Sequence, residues 1–243
     1  MIYEICVDSV AGVRAAKAAG AHRVELCANL LEGGTTPSRG MIRTARGIAG
    51  IGLQVIIRPR GGDFLYDADE FAIMEADVDT AKAEGADGVV IGLLTADGEV
   101  DAARTRALIA QARPLSVTFH RAFDMTRDAV AALETLIGLG VDRILTSGQE
   151  PSVLEGLPVI TDLIRRAGDR IIIMPGAGIT QRNAARIIAE ARPKEIHFAA
   201  LEPEAGGMRF RRQHVYMGGE LRAPEYDRLV TSGDVIRAVM SKG

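Results

Sequence analysis

Met1-Ile-Tyr-Glu-Ile-Cys-Val-Asp8, the run Ala11–Ala19 closing at Gly20, and Arg23-Val-Glu-Leu-Cys27 decide the fold. A β-rich run, a helix-length run stopped by glycine and a second β-rich run make one crossover unit, the connection that parallel strands require. The alternation recurs to the end of the chain. Strands are predicted over Tyr3–Val7, Arg23–Cys27, Leu53–Arg58, Gly88–Gly92, Ser116–His120, Arg143–Thr146, Ile171–Met174 and Glu195–Phe198. Helices are predicted over Ala11–Ala19, Pro37–Ile48 behind Thr36, Glu70–Ala83, Asp101–Ala112, Arg127–Gly138, Leu154–Arg166, Gln181–Ala191 behind Thr180, and Glu225–Met240. Eight units in 243 residues leave about 30 residues each, the size of a βα repeat. The expectation is an α/β chain forming one TIM (β/α)8 barrel, a single domain over residues 1–243. A doubly wound sheet is the rival, but it would carry a dinucleotide fingerprint, and Gly176-Ala-Gly178 lacks the third glycine. The stretch Leu201–Pro224 is too long for a plain βα connection and is read as a lid or an oligomerisation arm.

Composition narrows the function. The net charge is −3, and the concentrated basic stretch Arg209, Arg211 and Arg212 is short. No nucleic-acid partner is expected from that footprint. Two cysteines cannot build a disulfide scaffold and read as free thiols in a reducing compartment. No basic segment precedes an apolar stretch at the N-terminus, and no run reaches the ~18 apolar residues of a membrane span. A cytoplasmic protein without a membrane partner is expected.

The chemistry of a barrel gathers at the C-terminal ends of its strands. Glu4 and Cys6 share one face of the first strand, as Glu25 and Cys27 do on the second. Further round come Arg58 and Arg60, then His120, Arg121 and Asp124, then Ser147, Gly176 and Gly178, and His197 on the eighth strand. Buried charges are costly unless paired, so these residues are either a closing salt-bridge network, such as Glu25 with Arg58, or a functional site. As a site, Glu25 and His120 with His197 would carry acid–base chemistry. Arg58, Arg60 and Arg121, with Asp124, Ser147, Gly176 and Gly178, would hold a small anionic ligand, a phosphate or carboxylate. Only Lys17, Lys82, Lys194 and Lys242 occur, none of them at a strand end, which argues against Schiff-base chemistry. Cys6 and Cys27 fall near the ends of adjacent strands, within reach of one soft metal ion; as unliganded thiols they would be small buried hydrophobes. His22 reads as a solvated turn residue, and His214 lies in the long loop.

Several runs together resemble the copper homeostasis protein CutC family: Glu4-Ile-Cys-Val-Asp8, Arg23–Cys27, Glu32-Gly-Gly-Thr-Thr-Pro-Ser38, Ile57-Arg-Pro-Arg-Gly-Gly-Asp-Phe64, Thr118-Phe-His-Arg-Ala-Phe-Asp124, Leu145-Thr-Ser-Gly-Gln149 and Pro175-Gly-Ala-Gly178. The resemblance spans essentially the whole chain. It implies a cytoplasmic TIM barrel, a homo-oligomer, a role in copper homeostasis, and copper(I) held at Cys6 and Cys27. The chain departs from the family pattern at His197-Phe-Ala-Ala200, where relatives carry small hydroxyl residues. The alternative is a barrel enzyme acting on a small anionic metabolite.

Overall fold

The computed structural model describes residues 1–212, 214 and 227–243. The eight β-rich runs fold as β1 (Ile2–Val7), β2 (Arg23–Leu26), β3 (Gly52–Ile56), β4 (Gly88–Ile91), β5 (Ser116–Phe119), β6 (Arg143–Thr146), β7 (Ile172–Pro175) and β8 (Glu195–Ala199). Between them lie α1 (Val10–Ala18), α2 (Arg39–Arg46), α3 (Ala68–Ala83), α4 (Ala102–Ala112), α5 (Ala129–Leu139), α6 (Leu157–Ala167) and α7 (Ala184–Ala191). Each strand pairs in parallel with its sequence neighbour from β1 to β7, and β8 returns to β1. β7 and β8 share no hydrogen-bonded ladder. They nevertheless run close, since a Cβ added to Gly176 would stand 3.4 Å from the His197 carbonyl oxygen. The result is an eight-stranded parallel barrel, nearly closed at that seam.

Alternation along each strand sorts its side chains between two environments. Ile5 and Val7, Val24 and Leu26, Leu53 and Val55, Val89 and Ile91 all join the apolar layer beneath the helices. Glu4, Cys6 and Glu25 turn to the barrel interior, where Cys6 packs with Cys27, Ile56 and Val90.

Several expectations about element ends change, among them the starts of α2, α7 and the last helix. Helix α2 begins at Arg39, because Ser38 and not Thr36 caps it by accepting the Met41 amide at 3.2 Å. The Thr36 hydroxyl instead accepts the Arg58 amide at 2.9 Å. Helix α7 begins at Ala184, with Asn183 at the cap position predicted for Thr180. The last helix, α8 (Gly233–Met240), starts behind Ser232. Part of its predicted first half is a strand, β10 (Asp227–Thr231), antiparallel to β9 (Leu201–Ala205). The long loop therefore opens and closes as a two-stranded arm. Its residues 213 and 215–224, and residues 225 and 226 of the predicted helix, lie outside the described residues.

Candidate functional site

A cavity of about 390 Å³ opens at the C-terminal ends of the strands. Cys6, Glu25, Arg58, His120, Arg121, Asp124, Gly178 and His197 all line it, so eight of the sequence-selected residues converge. Cys27, Arg60, Ser147 and Gly176 do not.

The β1–β2 register sets Cys6 opposite Glu25, and the β1–β8 register sets Glu4 opposite His197. Glu4 Oε1 lies 2.8 Å from His197 Nδ1, while Glu25 Oε2 lies 3.8 Å from His197 Nε2. The Cys6 thiol donates to Glu25 Oε2 at 3.4 Å, and its Sγ stands 3.8 Å from Cys27 Sγ. Ligand atoms of Cys6, Glu25 and His197 all fall within 4.8 Å of one another, a buried group able to hold a metal ion. Cys27 sits behind them, fully buried, with its Sγ 3.4 Å from the Val7 carbonyl oxygen. The two thiols, expected near the ends of adjacent strands, are placed differently with respect to the cavity. Cys6 lines the cavity, and Cys27, fully buried, does not. Gly34 packs over Cys27 so closely that an added Cβ would lie 3.2 Å from the cysteine Cβ.

Electrostatics follow from burial and pairing. Burial alone would lift the Glu4 carboxyl, but the His197 hydrogen bond and the Arg23 charge overcome it and hold Glu4 at about 2. Burial pushes Glu25 up, and the His197 charge does not cancel the rise. Burial disfavours the charged His197 ring, yet Glu25 and Glu4 outweigh it and raise its pKa. The Cys27 hydrogen bond, burial and the Glu25 charge drive the Cys6 thiol well above its ordinary value.

The proposed Glu25–Arg58 closing pair does not form. Arg58 Nη1 donates to the Glu32 and Gly34 carbonyls at 2.6 and 2.8 Å, and Nη2 to the Gly62 carbonyl at 3.1 Å. The guanidinium thus staples the loops after β2 and β3, and its fork is not open to clamp an anion. Arg60 is likewise spent: it pairs with Glu70 and Asp63 and stacks over Tyr66. Arg121 donates from Nε to Asp124 at 2.8 Å and from Nη2 to Ser147 at 3.0 Å. Asp124 in turn accepts from Thr146, Ser147 and the Gln149 amide, so Asp124 and Ser147 anchor Arg121. Gly176 packs on Leu145. No hydrogen bond joins Glu25 to His120 among the described residues. His120 instead accepts the Ala122 amide at Nδ1, 3.1 Å away. Gly92 makes room for its ring, since a Cβ there would fall 2.2 Å from His120 Cε1. His22 is exposed, accepts the Tyr3 amide at 3.3 Å and stacks on the Tyr3 ring. His214 is exposed.

Sequence reading missed the layer beneath the site. Arg23 bridges Glu4 and Glu195, and Arg143 donates to Glu195 at 3.1 Å. The available signal was a charged residue heading each of β2, β6 and β8 at the same depth.

The architecture and the cluster define a class: a (β/α)8 barrel with a buried thiol–imidazole–carboxylate group at the mouth of its strands. Comparison with known proteins narrows that class. The CutC family model matches residues 1–202, and the chain belongs to the CutC family. A copper homeostasis protein cutC homolog of Mus musculus is 49% identical over 238 residues, covering 98% of this chain and 88% of that protein. The crystal structure of CutC from Streptococcus agalactiae superposes with a TM-score of 0.78 at 36% identity, covering 82% of this chain and 98% of that one. An N-(5'-phosphoribosyl)anthranilate isomerase from Pyrococcus furiosus shares the fold at a TM-score of 0.60 and 11% identity, covering 100% of this chain and 98% of that one. No helix among the described residues is long and apolar enough to cross a membrane.

Proposed function

We propose that this chain binds copper(I) as its cargo through the Cys6 and Cys27 thiols, with His197 and Glu25 beside Cys6. The observation that carries the reading is the 3.8 Å separation of the two sulfur atoms, Cys6 lining the cavity and Cys27 buried beside it. Soft thiolates select Cu(I) over harder cations, and an imidazole suits copper as a further donor. The Glu4 carboxylate fixes the ring of that imidazole from behind, as partners beyond the ligands of metal sites do. Both cysteines are free. The reducing cytoplasm, which keeps thiols and Cu(I) reduced, is the compartment that suits them. The β9–β10 arm joins copies of the chain into a homo-oligomer in this reading.

Anaerobic titration of Cu(I) against a chromophoric cuprous chelator tests the site. Cys27→Ser should weaken binding at least about 100-fold, since even partners beyond the ligands are worth 10–100-fold. Unchanged affinity in that variant overturns the thiol site.

A further inference from the structure

His120 is 4% exposed and lines the cavity, yet its Nε2 is buried with no hydrogen-bond partner. The Ala122 amide donates to Nδ1. Nδ1 must therefore carry a lone pair, and the proton of the neutral ring sits on Nε2. Nε2–H is a buried donor without a protein acceptor, which costs free energy unless a ligand supplies an oxygen. The ring is clamped there by Phe64, with centroids 5.1 Å apart, and by the Gly92 backbone. Arg58 also packs on Phe64: its guanidinium is 5.2 Å from that ring's centroid. Among the described residues Arg58 donates its hydrogen bonds to backbone carbonyls and forms no ion pair, so its positive charge bears on this wall. Arg121, which also lines the cavity, is held by Asp124 and Ser147 through its Nε and Nη2.

The remaining lining sets the body of the ligand. Leu30, Ile56, Phe64, Met125, Leu145 and Phe198 make much of the wall apolar. Glu25, Glu32 and Asp124 also line it, which disfavours a doubly charged phosphate more than a singly charged carboxylate.

We propose that the cavity binds a small organic carboxylate on an apolar body, one carboxylate oxygen accepting the hydrogen bond from His120 Nε2–H. Burial and the Arg58 charge keep the ring neutral, its pKa pushed down to about 3, so the donor persists across the physiological range. The site needs no metal and stands independently of the copper reading.

Calorimetric titration of protein stripped with a cuprous chelator tests it, with phenylacetate, phenylacetamide and inorganic phosphate as probes. Phenylacetate should bind saturably, and the other two at least tenfold more weakly. His120→Phe should weaken phenylacetate binding about tenfold, the worth of one buried hydrogen bond. His120→Gln, which offers an amide N–H near the Nε2 position, should retain most of it. Ring 15N spectra of the wild-type protein should show the proton on Nε2, and phenylacetate should shift that N–H. A proton on Nδ1, phenylacetate binding unmoved by His120→Phe, phosphate binding as tightly as phenylacetate, or no binding of phenylacetate overturns the proposal. Each of these results leaves the Cu(I) titration untouched, so the two readings fail separately.

Discussion

His120 owes its neutral ring to burial first and to the Arg58 guanidinium second, which together lower its pKa to about 3. An unfolded histidine takes its proton near 6.5. Between those values the unfolded chain binds a proton that the folded chain refuses, so stability falls as pH drops from about 6.5 toward 3. Above 6.5 the contribution of His120 is constant. Its slope has a ceiling of about 1.4 kcal/mol per pH unit. Urea unfolding of wild type and His120→Phe from pH 7 to 4.5 should show a difference that changes with pH below 6.5 and is flat above it. Parallel curves throughout that range would remove the ascribed neutrality. The residue types at the site were legible from strand-end spacing, because period-2 alternation puts Cys6 and Glu25, or Glu4 and His197, on the inner face. Their partners were not. Nothing in Ile57-Arg-Pro-Arg60 says that one guanidinium turns to three carbonyls and the next to Glu70, since those acceptors belong to loops whose course depends on the finished barrel.

Elements were legible wherever local chemistry and tertiary packing agree. Helix α3, expected over Glu70–Ala83, runs over Ala68–Ala83, its start set by a cap absent from that expectation: Asp67 accepts the Glu70 amide at 2.8 Å while Glu70 accepts the Asp67 amide at 2.9 Å. The arm is the opposite case. Leu201-Glu-Pro-Glu-Ala205 carries proline and two acids, poor strand formers, and becomes β9 only by pairing with Asp227-Arg-Leu-Val-Thr231, more than twenty positions on. Such non-local pairing leaves no periodic signal in either segment alone. The arm also carries exposed apolar groups: Met208 and Phe210 beyond β9, and Leu229 on β10. Exposed apolar surface of this kind marks association sites. If the arm joins copies of the chain, Phe210→Asp with Leu229→Asp should lower the mass measured by light scattering to that of a smaller species at equal concentration. The fold of the barrel, read by far-UV circular dichroism, should not change. An unaltered mass would exclude the arm as the contact.

Across the whole molecule the barrel is filled in an unusual way. Barrel interiors are ordinarily layered with Val, Ile and Leu. Here the layer below the candidate site is ionic: Arg23 lies between Glu4 and Glu195, while Arg143 joins Glu195 and donates to Thr118 at 3.2 Å. The Ser116 hydroxyl continues the chain to Gln54 at 3.1 Å. Strands β1, β2, β3, β5, β6 and β8 are thereby linked through their interior, and Glu4 passes the linkage up to His197. Buried ion pairs add little net stability when intact, because desolvation offsets attraction, but breaking one strands a charge. Arg23→Met should therefore cost about 3–5 kcal/mol in denaturant unfolding, as both Glu4 and Glu195 lose their shared partner. Adding Glu195→Gln to Arg23→Met should recover part of that loss, since one stranded carboxylate is removed, although Arg143 then faces a neutral amide. The sign of that second step separates the two accounts of the layer. If Arg23 acts only through packing of its aliphatic stem, Glu195→Gln adds a further penalty. If it acts by neutralising two buried carboxylates, the double variant is the more stable of the two.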